Sequence, residues 1–242
     1  MPHTTLTVFT LLPGHRRWGL AQMGTSPRPL RRVPGLRFFK LLGSGAANGF
    51  GLWPNLDRYG FMAVWDDAAA AAAFFAHHAL WATYRARSAE HWTLALAPIK
   101  AQGLWDGQKP FDYTPETPAP APDAPMAVLT RASIRWRKTP RFWQFVEPTS
   151  AALAHAAGVR AAIGLGELPV VRQATFSVWE SARAMQEYAY KDAKHREVIV
   201  LTHREKWYAE ELFARFQVLS SEGTLDGRNP LAGLLTATGT SD

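Results

Sequence analysis

Residues 112–125, DYTPETPAPAPDAP, carry five prolines in fourteen positions. Each proline fixes φ and removes a backbone donor, so this stretch is extended and semi-rigid and cannot form the interior of a helix or strand. The two flanking sequences resemble each other. Before the prolines come YGFMAVWDDAAAAAAFF and, later, EHWTLALAPIKAQGLWDG; after them come QATFSVWESARAMQEYA and EKWYAEELFARFQVLSSEGTLDG. Trp65 matches Trp179, and Trp92 matches Trp207, the two tryptophans standing 27 positions apart in the first half and 28 in the second. The closing WDG at 105–107 matches LDG at 225–227. Three matches in register indicate an internal duplication.

Both halves share one coarse pattern. In the first, hydrophobic periodicity predicts a strand at Leu6–Leu12, a helix over about 15–24 and strands at Arg37–Leu42 and Tyr59–Trp65. A helix over Ala68–Arg87 and a strand at Trp92–Ile99 complete it. In the second it predicts a strand at Ala127–Trp136, a helix over Thr139–Ala157 and strands at Arg160–Gly164 and Gln173–Trp179. A helix over Ser181–Lys206 and a strand at Leu212–Leu219 follow. Each half is thus a ferredoxin-like βαββαβ unit. Packed face to face, the two repeats make an intramolecular α+β barrel with helices outside, and a pocket either inside the barrel or between a sheet and its helices. The expected organisation is an N-terminal half over 1–111, the linker over 112–125, a C-terminal half over 126–228 and a loose tail over 229–242.

Composition narrows the function. There is no cysteine, which excludes disulfides, thiol catalysis, Cys-zinc sites and iron–sulfur ligation. Ten tryptophans and 12% aromatic residues supply core area and the walls for a large apolar or planar ligand. The formal net charge of +7 suits an anionic surface. The basic residues fall in short runs such as Arg16-Arg17 and Arg31-Arg32, and no nucleic-acid-binding motif accompanies them, so no nucleic-acid partner is expected. The start, MPHTTLTVF, lacks the pattern of a secretory signal, and the longest apolar run, AAAAAAFFA at 68–76, is too short to span a bilayer. A cytoplasmic protein is expected, at most peripheral on a membrane.

The segment KDAKHREVIVLTHREKWYAEELFARF, 191–216, holds two histidines on one predicted helix. At about 100° per residue, Tyr188, His195, Ile199 and Thr202 fall within about 60° of one another, while His203 lies about 80° from His195. His195 and Glu197 point about 200° apart, so the H-R-E triplet with His203 is no two-His-one-carboxylate iron site. One inward imidazole remains. It is either a hydrogen-bonded histidine at the edge of the core or the axial ligand of a haem, which needs a single protein ligand and an apolar slot. His77-His78, on the matching helix of the first half, reads as helix packing.

Several blocks, in order, make the sequence similar to the spheroidene monooxygenases of carotenoid biosynthesis. They are FFKLLGSGAANGF (38–50), LWDGQKPF (104–111), LTRASIRWRKTPRFW (129–143), GLGELPVVRQATFSVW (164–179) and the H…W…ELFARF pattern of 195–216. The resemblance implies a haem-containing monooxygenase that uses O2 and a ferredoxin-type electron donor. Its substrate would be an acyclic carotenoid, oxidised at the terminal C-2 methylene to a ketone. His195 aligns with the family's histidine ahead of the W…ELFARF block, which makes it the implied ligand of the haem b iron, with Tyr188, Ile199 and Trp207 around the cofactor. A membrane-dissolved polyene also suits a basic protein resting on lipid. The classes that compete with it are a haem peroxidase-like enzyme, a cofactor-free barrel oxygenase and a non-enzymatic carrier of haem or a lipophile.

Arg131, Arg172 and Gln173 are candidates to donate hydrogen bonds to oxygen bound at the haem, against readings as strand-end polar residues or propionate partners. GSGAANGFG at 43–51 lacks the following helix of a dinucleotide fingerprint and reads as a hairpin loop. Phe142, Trp143 and Trp207 read first as core residues and second as pocket walls.

Overall fold

A computed structural model describes residues 2–45, 53–113, 120–144, 153, 155–168, 170–191, 202 and 204–235. The first half contains β1 (His3–Leu11), α1 (Arg16–Thr25), the short α2 (Pro27–Leu30), β2 (Leu36–Gly45), β3 (Pro54–Trp65), α3 (Ala68–His77), α4 (Ala79–Ala86) and β4 (Ser88–Gly103). The second contains β5 (Met126–Ile134), a 3-10 turn (Trp136–Lys138) leading into helical backbone at 139–144, β6 (Val159–Leu168), β7 (Arg172–Trp179), α5 (Ala182–Lys191) and β8 (Tyr208–Gly223).

Within each half the strand order is that of a split βαβ unit, with β3 inserted between β1 and β2, and β7 between β5 and β6. The eight strands close into one barrel in the order β1-β3-β2-β6-β7-β5-β8-β4, every neighbouring pair antiparallel. The halves meet along two seams. β2 and β6 touch briefly, Gly43 opposite Gly166 and Ser44 opposite Leu165. β4 and β8, both 16 residues long, pair from Trp92–Gly223 to Gly103–Leu212. Closure leaves no free sheet edge.

Alternation sends every second side chain inward. Leu6, Leu94, Leu129, Phe176, Phe216 and Trp92 are among the fully buried residues that fill the barrel. The interior is therefore core, and of the two expected places for a pocket the one between sheet and helices remains.

Four expectations are corrected. The helix over Ala68–Arg87 is two helices broken at His78, whose backbone is extended and whose imidazole Nδ1 accepts from the Leu80 N–H at 3.1 Å to cap α4. His78 also stacks on Phe74, 4.9 Å between ring centroids. Trp92 does not correspond to Trp207: β4 and β8 begin at Ser88 and Tyr208, so Trp92 stands inside its strand where β8 has Leu212, whereas Trp207 precedes its strand. The helix over Ser181–Lys206 is described from Ala182 to Lys191, and Lys206 has φ +52°, outside helical conformation. The first part of the expected loose tail is anchored. The Asn229 side chain bonds to Ser221, and Leu231 is buried against the barrel core. The glycine loop at 43–51 lies mostly outside the described residues.

Candidate active site on the outer face of the C-terminal sheet

Trp65 pairs with His3 at the end of β3, and Trp179 pairs with Met126 at the equivalent place on β7. Counting back from these tryptophans along the outward face gives Ala63, Phe61 and Tyr59 in the first half and Ser177, Thr175 and Gln173 in the second. The neighbours across the ladder repeat the contrast. Phe39, Leu41 and Gly43 of β2 face the first set, whereas Ala162, Gly164 and Gly166 of β6 face the second. On the other side, β5 brings Val128, Thr130 and Ala132 to the second set.

Among the described residues, then, one outer face is covered by aromatic rings and the other is covered only at one end. In the first half Phe9, Phe61, Phe74, Trp65, Trp81 and Tyr84 make a continuous aromatic core beneath the helices. In the second half the buried cluster contracts to Met126, Trp179, Ala182 and Met185 at one end of the sheet. Towards the other end runs a strip of small and hydroxyl-bearing residues, with Thr175 half-buried and Thr130 exposed. At Gly166 an added Cβ would stand 2.9 Å from the Arg172 carbonyl oxygen and 3.3 Å from Gln173 Nε2, so no larger residue fits there without displacement. A planar ligand laid on this strip meets methyls, hydroxyls and glycine backbone in place of rings.

Strand parity sorts the candidate residues. Gln173 lies on the outer strip, its Nε2 donating to the Leu168 carbonyl at 3.4 Å. Tyr188, on α5, leans on Trp179 with ring centroids 5.2 Å apart. It also lines a cleft of about 320 Å³ with Ala157, Gly158 and Glu180. His195 and Ile199, like His203, lie outside the described residues. Trp207 is fully buried, its indole N–H donating to Glu205 at 2.8 Å and its ring edge-to-face with Phe142, which makes it a packing residue in every described contact.

Arg131 and Arg172 lie on the other face of the sheet. They share the parity of Leu129 and Ala174, which point into the barrel, so neither stands over the outer strip. Arg131 is 1% exposed and closes the barrel mouth in a charge cluster. It donates to Glu210, to Glu167 at 3.1 Å and to Asp106 at 3.4 Å, and sits over the Trp105 ring. Lys40 also pairs with Asp106 and with Glu167 (2.9 Å), while Arg172 reaches Asp106 at 3.4 Å. Burial works to raise the pKa of both Asp106 and Glu210. It is outweighed at Asp106 by Lys40, Arg172 and Arg131, and at Glu210 by the backbone N–H groups of Gly107 and Asp106 together with Arg131. Both carboxyls therefore titrate below their ordinary values.

The sequence repeat WDG/LDG is explained here. Asp106 and Gly107, at φ +51° and +74°, form a tight turn whose N–H groups donate to Glu210 at 2.9 and 2.8 Å. Asp226 and Gly227, at φ +53° and +77°, form the same turn, donating to Glu90 at 3.0 Å each. Arg58 pairs with Asp226 as Arg172 pairs with Asp106. Each half's closing turn is thus latched by the other half, at opposite mouths of the barrel. The glutamates escaped the sequence reading, although Glu90 and Glu210 each stand third in their strands and that shared position was the available signal. Among the described residues no group of three or more histidine, aspartate or glutamate side chains is arranged to hold a metal ion.

The chain is 39% identical to a spheroidene monooxygenase of Rhodobacter capsulatus over 238 residues, 96% of each chain. It is 42% identical to a spheroidene monooxygenase of Rubrivivax gelatinosus over 223 residues, 92% of this chain and 84% of that one. The chain belongs to the spheroidene monooxygenase family. Members of the family are oxidoreductases, and this protein is an enzyme of that class. No family model matches the chain. Among solved structures, an aldoxime dehydratase in complex with butyraldoxime superposes with a TM-score of 0.60 over 96% of this chain and 84% of its own, at 10% identity, which shows a common fold.

Proposed function

We propose that this protein is a haem-dependent carotenoid monooxygenase of the spheroidene type. It oxidises the terminal C-2 methylene of an acyclic carotenoid to a ketone, with O2 and a reduced ferredoxin-type donor, at a membrane surface. The conversion takes two oxygen insertions at one carbon, each consuming O2, two electrons and two protons, followed by loss of water from the gem-diol. The reaction class rests on family membership. The location rests on one observation, the strip of Thr175, Ser177, Ala162, Gly164 and Gly166, small side chains at the positions where the duplicated half carries larger, mostly aromatic ones.

Haem b, held by His195 as its single protein ligand, would supply reductive activation of O2 on this face. The chain's own residues have separable tasks. The small side chains of β6 and β7 leave room for a flat ring against the sheet. Gln173, at the end of the strip, presents an amide N–H₂ whose 3.4 Å bond to Leu168 is weak enough to be exchanged for one to a ligand held on this face. Trp179, Tyr188 and Met185 give an apolar wall that excludes water from the polyene end.

The test is the absorption spectrum of the haem-supplemented protein, compared with His195→Ala and Thr175→Phe. The second change installs on β7 the ring that Phe61 supplies on β3. The wild type is expected to show a Soret band, and His195→Ala to lose or shift it. Thr175→Phe should lose it with unchanged far-UV circular dichroism and Tm. A wild type that binds no haem overturns the reading. Normal binding by Thr175→Phe would move the cofactor off this face.

A further inference from the structure

We infer that the barrel end built from the 135–141 segment, Leu168, Val170 and Val171, and the 204–208 segment is a docking surface for an anionic lipid bilayer. The site is unusual in joining exposed apolar side chains to a concentration of cations. Trp136 is 73% exposed and Leu168 52%, while most of the chain's other tryptophans are buried. Arg135, Arg137, Arg141, Arg204 and Lys206 are exposed around them, and Lys138 is half-buried.

Backbone bonds hold these pieces together. The Arg135 N–H donates to the Trp207 carbonyl at 2.8 Å and its Nε to the Tyr208 carbonyl at 3.2 Å, which fixes the 135–138 turn beside 204–208. The Ile134 N–H donates to the Val171 carbonyl at 2.8 Å and Trp143 Nε1 to the Val170 carbonyl at 3.1 Å, which brings the Leu168 connection alongside. Arg137 sits over the Trp136 ring at 5.1 Å, so cation and indole are presented as one unit. The carboxylates at this end are Glu205, which is engaged by Trp207 and lies 3.8 Å from Lys138, Glu211 on the outer face of β8, and Asp106, Glu167 and Glu210, which are paired with Lys40, Arg131 and Arg172 at the barrel mouth. Cations outnumber them.

An indole prefers the headgroup level of a bilayer, and clustered lysine and arginine are drawn to anionic lipid. A polynucleotide would use the cations but gain nothing from an exposed leucine, whereas a bilayer takes both components, and an acidic protein is the occupant left if mixed vesicles are not bound. The position also has a purpose. The outer strip of the C-terminal sheet runs out at this end, where Ala132, Gly166 and Gln173 lie opposite one another on β5, β6 and β7. A polyene leaving the bilayer would reach the strip without crossing water. That last step rests on the proposed function, whereas the docking itself does not.

The experiment is co-sedimentation of the full chain with vesicles of phosphatidylcholine alone and of phosphatidylcholine mixed with phosphatidylglycerol. It compares wild type, Trp136→Ala, the triple change Arg137→Gln, Lys138→Gln, Arg141→Gln, and a control triple change on the remote α2 region, Arg28→Gln, Arg31→Gln, Arg32→Gln. Wild type and control are expected to bind only the mixed vesicles. The patch triple change should weaken that binding on the order of a hundredfold, and Trp136→Ala should weaken it by a smaller factor. Failure of the wild type to bind mixed vesicles overturns the inference, as does equal loss in the control. Retention of wild type on double-stranded DNA or heparin as tight as on vesicles, with the same loss in the triple change, would also overturn it in favour of a general polyanion surface. Carotenoid turnover in detergent micelles separates the two proposals. Vesicle binding without turnover leaves this inference standing and removes the function, and the patch variants should turn over micellar substrate as the wild type does.

Discussion

Position 131 illustrates how one side-chain direction decides a role. An arginine on a strand beside a candidate site invites a direct role there, but parity with Leu129 turns Arg131 into the barrel, where three carboxylates meet it. Breaking a buried pair while its partner remains costs about 3–5 kcal/mol. Arg131→Met, which leaves Glu210 and Glu167 facing each other beside Lys40, is expected near the top of that range. Glu210→Gln, after which Arg131 keeps Glu167 and Asp106, should fall near the bottom, both by urea denaturation. The folded pKa of Glu210 lies below its unfolded value, so its contribution is complete above the ordinary glutamate pKa of about 4.3 and is lost as the pH falls through the lower, folded value. Between pH 6 and about pH 3, Tm should drop more steeply for wild type than for Glu210→Gln. Equal slopes would mean that this carboxylate carries no linked stability.

Each element carries its own glycine test. Gly103 and Gly223 end β4 and β8 at φ +95° and +80°, and at each an added Cβ would stand 2.1 Å from a backbone carbonyl oxygen, that of Glu211 or His91. Gly107 and Gly227, in the latching turns, have positive φ and no atom within 4 Å of an added Cβ. Alanine at 107 or 227 should cost only the conformational penalty, about 1–2 kcal/mol. Alanine at 103 or 223 should cost clearly more, because backbone must move as well, and the two equivalent sites should behave alike in chemical denaturation. Most strands were legible in the sequence through alternation, as was the first helix of the first half, while much of the helix expected over Thr139–Ala157 lies outside the described residues. The break at His78 was not, because alanine-rich sequence on both sides has one helical periodicity and histidine is an uncommon cap. Nor was the true register of the repeat beyond Trp65 and Trp179, since tryptophans at similar spacing masked a length difference ahead of β8.

At the scale of the molecule, the two halves are one folding unit. Their common core lies inside the barrel, and each closing turn is held by the opposite half. Residues 1–111 and 126–242 expressed as separate chains are expected to be unstable alone and to co-purify when expressed together, and a monomeric, cooperatively unfolding single half would contradict that. The sequence by itself determined the duplication, the βαββαβ pattern, the barrel that two such units form, and the family, because these depend on local periodicity, on turn residues and on ordered blocks along one chain. Only the tertiary structure decided which polar residues meet and which face is open. Lys40, Asp106, Arg131, Glu167, Arg172 and Glu210 come from five strands and one turn and converge only because barrel closure brings the strands to one mouth with one parity and the turn after β4 beside them. Similarly, the contrast between Tyr59, Phe61 and Ala63 and their counterparts Gln173, Thr175 and Ser177 gains meaning only once pairing fixes which residues share an outward face, since a shift of one residue would have sent each of them into the core.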